Sequence, residues 1–124
     1  MANSPSPPLH ARVARSLFWL ACTFAVVMAL LPHPPHLPLD SYGDKFEHIL
    51  AFATLAFLAN FGFPRMERLR LVERLSFLGA VIELVQSVPD LGRDCDIRDW
   101  LADSLAVLAV TAGFAVWSRY RRSA

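Results

Sequence analysis

Apolar positions in this chain gather in three long runs without a charged side chain. These are residues 16–31 (SLFWLACTFAVVMALL), 49–63 (ILAFATLAFLANFGF) and 104–118 (SLAVLAVTAGFAVWS). Runs of that length predict helices, and proline marks where they stop. Pro32, Pro34, Pro35 and Pro38 follow the first run, Pro64 the second, and Pro89 a further stretch of helical character. The pattern predicts four helices, at about 14–31, 44–63, 69–88 and 99–120. The third has the shortest clean apolar stretch, Leu75 to Ile82, broken by Glu83. Residues 1–12 read as a proline- and serine-rich disordered tail, 13–121 as one domain, and 122–124 as a C-terminal tail. The expected fold is all-α, a small four-helix bundle.

Composition adds a solvent to that picture. Of 124 residues, 55% are hydrophobic and only 19% charged, against about 25% charged in an ordinary soluble domain. A bilayer crossing needs about 20 mostly apolar residues, and the four segments reach that length if their polar ends count. The expectation is therefore a polytopic membrane protein with four transmembrane helices. A soluble bundle needs a polar face on every helix, and the first and fourth segments have almost none. Twelve basic and eleven acidic residues nearly cancel, which argues against nucleic acid as a partner. Arginines 12, 15, 65, 68, 70, 74, 119, 121 and 122 would all fall on one side of four spans, leaving Lys45, Arg93 and Arg98 on the other. By the positive-inside rule both termini are then cytoplasmic. Two cysteines exclude a disulfide scaffold. Cys22 is expected mid-span and Cys95 in a loop, too far apart to pair. Trp19, Trp100 and Trp117 read as interface anchors, and His33 and His36 as loop residues.

Candidate chemistry lies at the other end from the arginines. Asp44 and His48 are four apart on the second helix, Glu83 and Gln86 three apart on the third, and Asp99 and Asp103 four apart on the fourth. Such spacings share a helix face, so three helices each aim a polar pair toward one end, with Lys45, Arg93 and Arg98 as counter-charges. Glu83 and Asp103 are candidates for an acid–base pair, with His48 oriented by Asp44 as a base. Arg93, Lys45, Gln86 and Asp99 are candidate substrate-binding groups, Arg93 offering a fork of donors to a phosphate or carboxylate. Asp44, Glu83, Asp99 and Asp103 are the residue types that could hold a divalent cation, although no established metal motif is present. The competing reading is a satisfied ion-pair network that only fixes helix positions.

Three stretches, DKFEHILAFATLAFL (44–58), GAVIELVQ (79–86) and GRDCDIRDWLADSLA (92–106), resemble the VanZ-like family of small bacterial integral membrane proteins. The likeness falls on Asp44, Lys45, His48, Phe52, Gly79, Glu83, Gln86, Arg93 and Asp99. Asp103 stands where the family usually shows asparagine, and Ala106 where it shows glycine. The resemblance implies a multi-pass protein of the bacterial cytoplasmic membrane and a cell-envelope role. The family takes its name from a protein associated with resistance to a glycopeptide antibiotic, by a mechanism that is not established. The functional expectation is binding of, or action on, an envelope lipid or lipid-linked cell-wall precursor at the outer leaflet. The alternatives are a non-catalytic membrane scaffold or partner subunit, and an oligomeric conduit.

Overall fold

A computed structural model describes residues 4–32 and 34–124. His33 and the first three residues of the expected tail lie outside this range. Four helices run in chain order: α1 (Leu9–Leu30), α2 (Asp44–Gly62), α3 (Arg68–Gln86) and α4 (Ile97–Ser123). Short 3-10 turns at Pro38–Tyr42 and Pro89–Leu91 lie in the α1–α2 and α3–α4 connections. The all-α bundle agrees with the apolar runs and their proline stops. Helix α1 begins at Leu9, inside the stretch expected to be a tail, with Pro8 as its N-cap.

Local chemistry accounts for the helix ends. Gly43 caps α2 at φ +91°, and Gly92 ends the turn before α4 at φ +58°, both in the region that favours glycine. Asp96 caps α4, its side chain accepting the Arg98 amide at 2.9 Å. Arg121 and Arg122 occupy the last turn of α4, where cations suit the helix dipole.

Helix α2 is the centre of the bundle, packed between α1 and α4, while α3 closes mainly against α4. Its buried positions Phe52, Leu55, Ala56, Ala59 and Gly62 recur at helical spacing. They meet Phe18 of α1, Leu71, Leu75 and Ile82 of α3, and Val107 of α4. Where α1 crosses α2, a β-carbon built on Gly62 would come within 2.9 Å of the Arg15 amide nitrogen and 3.0 Å of its Cα. Arg15 also donates through Nε to the Gly62 carbonyl at 3.1 Å, so this glycine sets the spacing of the two helices.

The expectation of four membrane-crossing helices requires correction. Among the described residues, only α1 and α4 are long and apolar enough to cross a membrane. Helices α2 and α3 have 19 residues each, and their polar ends do not extend the apolar length. Asp44, Lys45, Glu47 and His48 occupy the first turns of α2, leaving the charge-free part at Ile49–Gly62. Arg68, Arg70, Glu73, Arg74 and Glu83 confine α3 to Leu75–Ile82. Charge-free stretches of that size are typical of helices packed inside a fold, and the ionisable residues that shorten them include a cluster buried within the bundle. The multi-pass inner-membrane placement, and the cytoplasmic assignment of both termini deduced from four crossings, are withdrawn with it. Leu17, Leu20, Phe24 and Val27 of α1 and Leu105, Leu108 and Val116 of α4 nevertheless stay on the outside of the chain.

Two glycine substitutions test the packing. Gly62→Ala must push backbone against backbone and should destabilise the fold by about 1–3 kcal/mol. Gly113→Ala meets nothing within 4 Å and should stabilise α4 by about 0.5–1 kcal/mol through helix propensity. Thermal or denaturant unfolding of the two variants beside wild type checks both signs.

Candidate metal centre

The buried stripe of each inner helix is apolar through its middle and turns polar at one end. On α2, His48 lies one turn before Phe52. On α3, Glu83 follows Leu75 and Gly79 at intervals of four, and on α4, Asp99 and Asp103 precede Val107 and Thr111 at the same interval. Burial of the apolar part therefore carries these polar groups inside with it. Asp103 is 0% exposed and Glu83 only 5%.

His48, Glu83 and Asp103 converge, each offering one ligand atom, with these atoms all within 4.8 Å of one another. His48 Nδ1 lies 3.2 and 3.3 Å from the two carboxylate oxygens of Asp103. Glu83 accepts the Asp96 backbone amide through Oε2 at 3.1 Å. Its other oxygen, Oε1, is buried with no hydrogen-bond partner among the described residues. A β-carbon on Gly79 would sit 3.2 Å from Asp103 Oδ2 and 3.5 Å from both Phe52 and Trp100. Glycine thus lets α3 close over the carboxylate. The Trp100 indole donates to the Ser76 carbonyl at 3.0 Å, and the Ser76 and Ser104 hydroxyls meet at 2.8 Å, pinning α3 to α4 beside the site.

Charge state follows from this geometry. Hydrogen bonding to Asp103 holds the His48 pKa above its ordinary value against the opposing effect of burial, and the charges of Asp103, Asp99 and Glu83 add to it. Burial pushes the Glu83 carboxyl up, opposed by the Asp96 amide and by His48.

The remaining candidates have other partners. Asp99 is buried but pairs with Lys45 at 3.4 Å, and Lys45 also reaches Asp96 at 3.4 Å. Gln86 is buried and donates to the Ala29 carbonyl at 2.8 Å, tying α3 to α1. Asp44 is exposed, and His48 turns to Asp103 instead of to Asp44, so the expected orienting carboxylate is the distant one. Arg93 makes no ion pair or hydrogen bond among the described residues. The expected cation set of Asp44, Glu83, Asp99 and Asp103 thus becomes His48, Glu83 and Asp103. Sequence reasoning left His48 out of that set, although its place one turn before Phe52 on the apolar stripe signals that it enters the interior. Cys95, considered only for a disulfide, is free and adjoins the amide that clasps Glu83.

This cluster is able to chelate a divalent cation, its donors being one imidazole and two carboxylates. It does not fit the expected lipid or cell-wall-precursor site. Its carboxylates belong to a polar cluster buried inside the bundle, with Gly79, Phe52 and Trp100 packed against Asp103. Two larger cavities, about 650 and 660 Å³, are lined instead by residues such as Asn60, Arg68 and Trp117, or Arg15, Arg65 and Arg74, at the opposite end of the bundle. The outer-leaflet lipid function is corrected accordingly, and the membrane placement of the scaffold alternative is corrected with the four crossings. Comparison of the chain with protein-family models, with curated proteins and with solved structures returned no match. The suggested link to glycopeptide resistance therefore has no support.

Stability of the metal-free protein should depend on pH through this cluster. A histidine whose folded pKa is raised contributes stability that is complete below its unfolded value, about 6.5, and is lost as pH rises through the folded value. Raised Glu83 acts in the same direction, its contribution complete below about 4.3 and lost above that. The thermal midpoint in the presence of chelator should fall as pH rises from about 6 to about 9, and His48→Gln should flatten the upper part of that fall. A midpoint that is level or climbs over this range contradicts the assignment.

Proposed function

We propose that this chain is a divalent-cation-binding helical bundle, with His48, Glu83 and Asp103 as the protein ligands that join α2, α3 and α4. The observation that carries this reading is Glu83: its Oε1 is buried with no hydrogen-bond partner among the described residues, and its carboxylate offers a ligand atom within 4.8 Å of those of the His48 imidazole and the buried Asp103 carboxylate. Leaving such a group unsatisfied costs about 1–3 kcal/mol or more, and a cation removes that cost. Two carboxylates balance a doubly charged ion. The imidazole favours a first-row transition ion over magnesium or calcium, which prefer all-oxygen sites.

Oxygen and nitrogen ligands about 2.1 Å from a tetrahedral zinc lie about 3.4 Å apart. Against the 4.8 Å spread here, an entering ion needs only a small contraction of the three side chains. Its arrival exchanges the His48–Asp103 hydrogen bond for two metal bonds and releases any proton the pair holds. The bound ion would neutralise the buried carboxylates and cross-link three helices.

Kinship with the VanZ-like family remains a proposal resting on residues 44–58, 79–86 and 92–106, which contain all three ligands. Asp103, in place of that family's usual asparagine, would supply the second negative charge.

Calorimetric titration of chelator-treated protein with zinc, cobalt, manganese and magnesium tests the reading. One equivalent of zinc or cobalt should bind, and magnesium should not compete at equal concentration. Free ion at a hundred times its dissociation constant should add about 2.7 kcal/mol of stability, or roughly 10 °C in the thermal midpoint. Glu83→Gln and Asp103→Asn should each weaken binding by at least about tenfold while the helical circular-dichroism spectrum is retained. If neither zinc nor cobalt binds wild type, the proposal is overturned.

A further inference from the structure

His48, Glu83 and Asp103 give three ligands, whereas closed protein sites for zinc-class ions have four. Water completes an open site; a fourth protein ligand, by contrast, has to come from what lies against Glu83. On the α4 side, Asp99 is engaged by Lys45 at 3.4 Å. On the loop side, residues 87–96 lead from α3 to α4, and the Asp96 amide hydrogen-bonds Glu83 Oε2 at 3.1 Å. That bond fixes the backbone next to Cys95 against the ligand carboxylate. Cys95 is a free thiol on the solvent side, and the charge of Glu83 reaches it. A thiol that coordinates a doubly charged ion is deprotonated by it.

We infer that Cys95 is the fourth ligand of the cation held by His48, Glu83 and Asp103, closing the loop over the site and directing it to a thiophilic ion such as zinc. This rests on the cation-binding reading of the cluster. On coordination the S–H bond breaks, a sulfur–metal bond forms and the proton passes to water, with no change in oxidation state. The sulfur lies outside the group of atoms within 4.8 Å, so the loop has to move inward for the bond to form. A thiolate among the ligands discriminates against magnesium, calcium and manganese, which prefer oxygen. It also exposes the site to oxidation, since Cys95 faces solvent in the metal-free form.

Cobalt(II) serves as the spectroscopic probe, added to the full chain under reducing conditions with Cys22→Ser and Cys95→Ser in parallel. Wild type and Cys22→Ser should show a sulfur-to-cobalt charge-transfer band in the near ultraviolet, bleached by one equivalent of zinc. Cys95→Ser should still bind cobalt through the other three ligands, without the band and about tenfold or more weaker. Cobalt bound by wild type with no sulfur band, or a band that survives in Cys95→Ser, overturns the role of Cys95 and leaves the three-ligand site standing. No cobalt binding by wild type overturns the site itself, and the inference with it.

Discussion

Asp103 has no exposed surface, and a carboxylate in that position is tolerated only if something compensates its lost hydration. His48 provides that compensation from α2, 55 residues away in the chain, through contacts of 3.2 and 3.3 Å. The pair joins the two helices that form the middle of the bundle, and it fixes how each is rotated about its axis. Glu83 enters beside them from α3, with one oxygen clasped by the Asp96 amide and the other left free. A half-satisfied carboxylate beside a histidine–aspartate pair is an expensive arrangement for a fold to keep on structural grounds alone. Its expense is what gives a cation something to gain.

Close packing borders the cluster on its Asp103 side. Gly79 brings α3 against Asp103, and the rings of Phe52 and Trp100 border the same point. Trp100 is held in turn by the Ser76 carbonyl, so α3 and α4 cannot slide past each other without breaking a partly buried hydrogen bond. The polar network and the apolar core are therefore one object: the same stripes that bury Leu75, Phe52 and Val107 deliver Glu83, His48 and Asp103 to their places.

The two ends of the bundle differ in kind. At the far end, Arg15 reaches the Gly62 carbonyl and lies over the Phe63 ring, Arg68 donates to Ser118, and Asn60 bonds Thr111. There the cations are exposed or partly so, and apart from the exposed Arg70–Glu67 pair at 3.7 Å their partners among the described residues are neutral. At the cluster end the interior charges are mainly negative, and Lys45 answers Asp99 and Asp96 at the rim. This asymmetry concentrates unbalanced negative charge where Glu83 lacks a partner, and it is the reason the candidate centre lies at that end.

Much of this was legible in residue order. The charge-free runs ending at Pro32 and Pro64, and the helical stretch that Pro89 stops, specify helices, since periodicity and proline geometry are local properties. The same spacing placed Glu83, Asp99 and Asp103 on faces shared with apolar residues. It overstated the apolar length of α2 and α3, because a run of hydrophobic residues looks alike in a membrane and in a packed interior. Partner choice was beyond it altogether. His48 stands four residues from Asp44 yet pairs with Asp103, Asp99 is drawn off by Lys45, and Cys95 comes to lie beside Glu83. These outcomes depend on helix rotation and on the path of the 87–96 loop, which the packing around Gly62, Gly79 and Phe52 sets. Sequence by itself determined which helices form and which of their turns are polar, through forces acting within a few residues. Tertiary structure alone decided which of those polar groups meet, because only burial of all three stripes together brings residues 48, 83 and 103 to one point.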